Sequence, residues 1–349
     1  LAAFSSTQVA ALGTDRIVVL SPSQIAALSA GGIEGLSSQQ LAVLSTAQAE
    51  ALTSAQVRAL QSDQIAMLGT NDIATFSVKD IAAISSSAIA GLSSDMIAAL
   101  STAQVAALSA AAISALTTGQ IAALSGTQVE ALTSTQIVAL RSSQLAALRA
   151  EDVAAFSTRE IAAMGADAIR GLSTDMIAAL STAQVAALST AAISGLATRQ
   201  IAAMSTAQAE ALTTRQIAAL DAAQLAAFGT DDIAGFSTRE IAAISAGAVT
   251  GLSSDTIASL STAQAAALST AAIGGLFTRQ IAALTTDQLQ ALTAVQIRAL
   301  GSAQIAALGT AGVASLSAAQ IAAVSASGIP GLSTEQLALL NIDQVAAFT

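Results

Sequence analysis

The sequence predicts an all-α fold: a solenoid, or superhelix, of short two-turn helices, one per eight-residue repeat, with about three repeats in each turn of the coil. Three observations carry that reading. An octad runs through residues 5–348 without one insertion or deletion, giving 43 copies. Nearly every octad opens with a helix-capping signature. Related octads also recur at steps of three and of ten octads.

The octad comes first, because the other features are registered on it. After Phe4 the chain reads SSTQVAAL, GTDRIVVL, SPSQIAAL and so on to NIDQVAAF, which ends at Phe348. Position 5 is apolar throughout, as at Val9, Ile17, Ile25 and Ile33, and is alanine only at Ala49, Ala209 and Ala265. Position 8 is always Leu, Phe, Ile, Met or Val, and positions 6 and 7 are mostly Ala or Gly. Positions 5 and 8 are therefore the expected core, and the small residues at 6 and 7 the expected sites of close helix approach.

One continuous helix does not fit this period. Eight residues overshoot two helical turns by about 80°, so the apolar stripe would wind round the rod within about five octads. A strand fits no better, since Ala and Gln are weak strand formers and positions 5 and 8 would point to opposite faces. A helix over positions 2 to 7 fits. Position 1 is Ser, Thr, Gly, Asp or Asn except at Gln61, Arg141, Arg149, Ala197 and Phe277. Position 4 is Gln in 24 octads and Glu in two. In STAQVAAL at 101–108, Ser101 and Gln104 form the capping box, and Leu100 and Val105 the hydrophobic staple. A helix this short is unstable alone. Caps contribute roughly 1 kcal/mol, and burying positions 5 and 8 roughly 1.5–3 kcal/mol each, so neighbouring octads must supply the burial.

The coil period comes from octads without a polar position 4. SSSAIAGL (85–92) and SAAAISAL (109–116) lie three octads apart, which sets three octads per turn; two per turn, a stacked helical hairpin, is the alternative. A longer period overlies it. SSDMIAALSTAQVAAL at 93–108 returns as STDMIAALSTAQVAAL at 173–188 and as SSDTIASLSTAQAAAL at 253–268, a step of ten octads that closes roughly three turns. Phe76, Phe156 and Phe236 keep the same ten-octad step, as do Gly91, Gly171, Gly251 and Gly331. The expected organisation is one continuous array over 1–349, with superrepeats 69–148, 149–228 and 229–308 and partial copies 1–68 and 309–349. Both ends cut an octad and neither has a polar terminal repeat, as expected of a slice of a longer array or of ends covered by other copies. Pro22 occupies the first helical position, where proline is favoured, and Pro330 at position 6 is expected to shorten its helix. Phe4, Phe76, Phe156, Phe228, Phe236 and Phe348 are core by register. Phe277, in an N-cap place, reads as a packing variant in preference to an exposed contact.

Composition removes whole classes of function. The chain has no Cys, His, Trp or Tyr, which excludes thiol nucleophiles, thiolate and imidazole metal sites and histidine-based triads. A net charge of −10 with 2% aromatics argues against a nucleic-acid partner. No run of about 20 apolar residues is present, so no membrane-spanning segment is expected, and the chain reads as soluble. Its first residues lack the pattern of a secretory signal. No enzymatic activity and no cofactor are expected.

One constellation has the look of a site. Asn71, Asp72 and Asp80 correspond at the ten-octad step to Glu151, Asp152 and Glu160, and then to Asp231, Asp232 and Glu240. Carboxylates from neighbouring octads offer the oxygen ligands of a weak Ca²⁺-type cation site, with Asp72, Asp80, Asp152, Glu160, Asp232 and Glu240 as its candidates. Helix capping and surface ion pairs are the favoured reading, since Lys79, Arg159 and Arg239 stand beside these acids. The fourth copy has Ala311, Gly312 and Gln320 instead. Glycoside chemistry lacks an aromatic sugar platform. A row of exposed hydroxyls at position 2, including Thr102, Thr118 and Thr182, is the remaining candidate, for ice or sugar.

Octads such as STAQVAAL, TTRQIAAL and TTDQLQAL resemble the Ala/Ser/Thr/Gln-rich arrays of very large secreted bacterial surface proteins of the RTX-adhesin kind. The chain lacks their GGxGxD nonapeptides, so calcium binding of that type does not carry over. The resemblance implies an extracellular or cell-surface setting and a stalk, spacer or filament. The expected partner is therefore a second copy, in a homo-oligomer or filament, docking through patches repeated once in every superrepeat. The alternative is a solenoid scaffold that binds a protein or peptide as an adhesion module.

Overall fold

The computed structural model describes residues 1–348. Among them each octad holds one helix, 40 α-helices and three 3-10 helices, and no residue is in a strand. Helix Thr102–Ala107 shows how an octad is built. Ser101 is extended, with φ −69° and ψ 159°, and its Oγ accepts from the Gln104 N–H at 3.2 Å. The Gln104 Oε1 accepts in return from the Ser101 N–H at 2.7 Å. Leu108 then leaves the helix at ψ 138° and redirects the chain into the next octad.

The chain forms two compact units, Leu1–Ala179 and Leu180–Thr349. Within each, a helix packs on the helix three octads earlier: Ser38–Ala42 on Thr14–Val18 in the first unit, Thr206–Glu210 on Thr182–Ala187 in the second. Three octads per turn is therefore the coil, and the helical hairpin is excluded. The first unit has three faces: face I takes the octad at residue 5 and every third octad after it, face II starts from the octad at 13, and face III from the octad at 21. Ten octads are three turns and one octad more. Successive superrepeats consequently move to the next face: the acidic octads 69–84 lie on faces III and I, and 149–164 on faces I and II. The patches of the first two superrepeats therefore do not share one face.

Positions 5 and 8 form the core as expected, with Ile17, Ile97 and Ile177 fully enclosed. The alanines were misplaced by sequence reasoning. Position 6 mostly faces solvent, as at Ala98 and Ala122, whereas the position-4 glutamine lies inside, as at Gln56 and Gln128. Close approach occurs at position 7, where the glycines of some octads meet the backbone of the preceding turn. The phenylalanines divide by coverage. Phe76, Phe156, Phe228 and Phe236 are buried, and Phe228 meets Phe236 edge-on at 5.8 Å. Phe4 is half-buried and Phe348 exposed. Phe277 is 47% exposed, with the Arg279 guanidinium 4.5 Å from its ring centre, so it is a surface contact and not a packing variant.

The 3-10 helices are Ile89–Gly91, Ala248–Gly251 and Ile329–Gly331. Only the last contains proline, so Pro330 is not the general cause. All three share a small residue at position 4 (Ala88, Ala248, Gly328) and a glycine at position 7. Among the described residues only Gly309 has a positive φ, 68°, where helix Gly309–Ser315 follows Leu308 without an extended junction.

One octad shows what loss of volume does. Met96 and Met176 occupy position 4 in their superrepeats, and the third copy has Thr256. Beside it lies a recess of about 170 Å³ lined by Leu225, Phe228, Thr230 and Thr256. Thr256→Met is expected to raise stability by about 1 kcal/mol, because the filled recess outweighs the hydroxyl contacts to Ser253 and Thr230. The urea midpoint measures it, and an unchanged or lower midpoint contradicts it.

Candidate functional site

The feature that recurs most is an amide ladder. A helix of five or six residues has few internal hydrogen bonds, so most of its end groups lack partners. The position-4 glutamine closes both kinds of gap. Gln128 accepts with Oε1 from the Ser125 N–H at 2.7 Å. Its Nε2 donates to the carbonyls of Ile97 at 2.9 Å and Leu100 at 2.7 Å, in the preceding turn. The same reach, 31 and 28 residues back, links Gln56 to Ile25 and Leu28, Gln216 to Val185 and Leu188, and Gln288 to Ile257 and Leu260. Each bond contributes about 0.5–1.5 kcal/mol net. Sequence reasoning read this residue as a cap alone. The signal was present: Glu completes a capping box as well as Gln does, yet 24 octads have Gln and two have Glu. Only Gln also donates.

The carboxylates stand where this donor is missing. Asp72 accepts from the Gly69 N–H, Glu160 from the Ser157 N–H and Glu240 from the Ser237 N–H, at 2.7–2.8 Å. Asp80 and Asp232 also accept hydroxyls from the preceding turn, Ser54 at 2.6 Å and Thr206 at 2.8 Å. Asp152, buried, takes a bidentate grip from Arg149, at 3.0 Å and 2.8 Å. The hydrogen bond to Asp152, and then its charge, raise the Arg149 pKa. Glu335 has its pKa lowered, first by its own backbone N–H and then by the Ser333 hydroxyl.

These carboxylates do not assemble a cation site. Among the described residues no group of three or more acids is placed to hold a metal, because each caps its own helix. The expected ion pairs are fewer than the sequence suggested: Arg149 pairs with Glu151 and Asp152, and Arg170 with Asp167, while Lys79, Arg159 and Arg239 make none among the described residues. The hydroxyl row is also divided. Thr102 and Thr118 are both exposed, but they lie on faces I and III. No helix among the described residues is long and apolar enough to cross a membrane.

The ladder predicts the effect of restoring a donor. Glu240→Gln is expected to add hydrogen bonds to the Ala209 and Leu212 carbonyls and to stabilise by about 1 kcal/mol. A urea midpoint that fails to rise contradicts the ladder's energetic role.

Comparison with known proteins places this junction. The chain matches the ALTTAQ repeat in overlapping stretches that together span residues 1–30, 33–238 and 262–326. The hexapeptide is positions 7, 8, 1, 2, 3 and 4 of the octad, as in ALSTAQ at 99–104. It therefore contains the close-approach residue, the core residue, the cap and the amide. No curated protein matches. Among solved structures, the leucine-rich repeat-containing protein LegL7 of Legionella pneumophila is 15% identical over 79% of this chain and 78% of its own, with a TM-score of 0.13, and carries no argument. The chain belongs to the ALTTAQ repeat family.

Proposed function

We propose that the chain is a structural element, a stalk or self-associating filament at the cell surface or outside the cell, and that it performs no catalysis. The observation that carries this reading is the use of the polar side chains. Cap hydroxyls such as Ser101 and amides such as Gln128 hydrogen-bond the chain's own backbone. The commonest chemistry in the sequence therefore holds the coil together. An array stabilised by repeated neighbour contacts can be lengthened without redesign, which suits a spacer. The extracellular setting is supported by the likeness of its octads to those of large secreted surface proteins.

Light scattering after size exclusion, followed by electron microscopy, tests the reading over a rising concentration series. Ordered assemblies that grow with concentration support it. A particle that never assembles, and instead captures a protein or peptide at fixed stoichiometry, replaces it with the adhesion-module reading.

A further inference from the structure

One junction departs from the pattern of the array. The usual form is the one that closes octad 309–316, where Leu316 has ψ 142° and Ser317 φ −69°. At the opening of that octad Leu308 keeps a φ of −62°, but its ψ is −21° and Gly309 has φ 68°. The two angles differ from the usual form by rotations of opposite sign and similar size. That is the mark of one rigid peptide plane turned over while the chain on either side stays in place. Helix Gly309–Ser315 accordingly still packs on Thr286–Ala291, three octads back. The turned peptide does alter the amide ladder. Gln320 and Gln344 donate to position-8 carbonyls 28 residues back, Leu292 and Leu316, both at 2.7 Å. The same register assigns Leu308 to Gln336. Its Nε2 instead reaches the Gly309 carbonyl at 3.2 Å and those of Ile305 and Ala306 at 3.4 Å, although the side chain is buried.

Two features release this peptide. Glycine takes positive φ freely, where a Cβ would strain it. The octad also has neither a cap hydroxyl nor a position-4 acceptor: Gly312 stands where Gln304, one octad earlier, takes the Gly301 N–H at 2.9 Å. The usual form remains open to such an octad. Gly13 has no side-chain cap either, yet it is extended at φ −70°, and the Leu12 carbonyl before it is taken by Gln40 Nε2. We propose that the Leu308–Gly309 peptide is a two-state joint. It turns between the form with Gly309 at φ 68° and the extended form of Gly13, in which Gln336 donates to the Leu308 carbonyl and closes its rung. The forms are close in free energy, because each has something the other lacks. The extended form gains a direct amide bond. The turned form has the longer helix, seven residues where Ser302–Ala307 before it has six. A single substitution suffices to shift such a balance. The joint makes one turn adjustable in an array of fixed turns, and it does not depend on the stalk reading.

Gly309→Ser in the full chain tests the joint. The added Cβ disfavours positive φ, the hydroxyl caps the extended form, and nothing lies within 4 Å of the new carbon. Proton exchange of the Gln336 side-chain amide, followed by NMR, is expected to slow roughly two- to tenfold as the rung closes. The urea midpoint is expected to stay at or above that of the parent. Gly13→Ser is the control, since it adds the same cap, also in open space, to a junction already extended. It leaves exchange of the Gln40 side-chain amide within roughly twofold of the parent. Three results overturn the proposal. Unchanged Gln336 exchange in Gly309→Ser means that the peptide does not turn. A lowered midpoint means that the serine is held at positive φ in a fixed joint. Equal slowing in the two variants traces the effect to the cap and not to the turned peptide.

Discussion

Gln128→Glu is expected to destabilise its turn by about 3 kcal/mol at neutral pH, although it exchanges one NH₂ for one oxygen. The Nε2 of Gln128 lies 2.9 Å and 2.7 Å from the Ile97 and Leu100 carbonyls, and the side chain is buried. A carboxylate oxygen there faces two acceptors without a proton between them and is removed from water as well. The cap to Ser125 survives, since it uses the other oxygen. The penalty has a pH signature. The fold favours the protonated acid, which can donate to one carbonyl, so the folded pKa rises above the unfolded value of roughly 4.3. Between those two values the folded state binds more protons, and stability falls as pH rises. The variant should therefore approach the parent below about pH 4 and lose ground up to neutrality. Urea midpoints at both pH values measure this, and hydrogen exchange over 93–132 shows whether the loss is local, as a chain of neighbour contacts requires. A pH-independent deficit would mean that the donor role assigned to the amide is wrong.

The same amide shows how far the sequence could be read. The octad, the cap and the three-octad coil were legible because each follows from short-range chemistry repeated many times: Ser101 and Gln104 are three residues apart, and their bond is a local one. What the amide does with its second group was hidden, because the Phe76 carbonyl it meets lies 28 residues away. The acids misled for the same reason. Asp72, Asp152 and Asp232 form a regular pattern in sequence, but one superrepeat is three turns and an octad more, so the first two copies occupy different faces and each carboxylate turns back to its own helix start. Phe277 was misjudged because register places it at a cap, and the cation that covers its ring, Arg279, is an ordinary-looking position-3 residue.

The position-7 glycines give the other large expected effect. A Cβ on Gly91 would lie 1.9 Å from the Ser62 carbonyl oxygen, on Gly171 2.1 Å from that of Ser142, and on Gly251 1.9 Å from that of Ala222. The obstacle is backbone in each case, so no rotamer relieves it. Alanine is nevertheless ordinary at position 7, as at Ala59, Ala107 and Ala139. The difference lies three residues earlier. Gly91, Gly171 and Gly251 follow Ala88, Ala168 and Ala248, whereas those alanines follow Gln56, Gln104 and Gln136. These six octads stack in two ways: held off by a glutamine that bridges to the carbonyls beneath, or closed onto them with nothing between; the octad 109–116, with Ala112 and Ala115, shows that a small position 4 does not by itself demand glycine at position 7. Gly91→Ala is therefore expected to cost about 2–3 kcal/mol, by forcing a closed turn to open without a bridge. Gly31→Ala is its control: with nothing within 4 Å of the added carbon and a place inside helix Ala30–Ile33, it should gain about 0.5–1 kcal/mol. The decisive variant is the double Ala88→Gln/Gly91→Ala, which rewrites the octad to the spaced form. If the two stacking modes are alternatives, the double variant recovers most of the loss although Ala88→Gln alone overpacks a fully enclosed site. Additive losses in the urea midpoints would mean instead that the closed turn is dictated by the octads around it and not by its own residues.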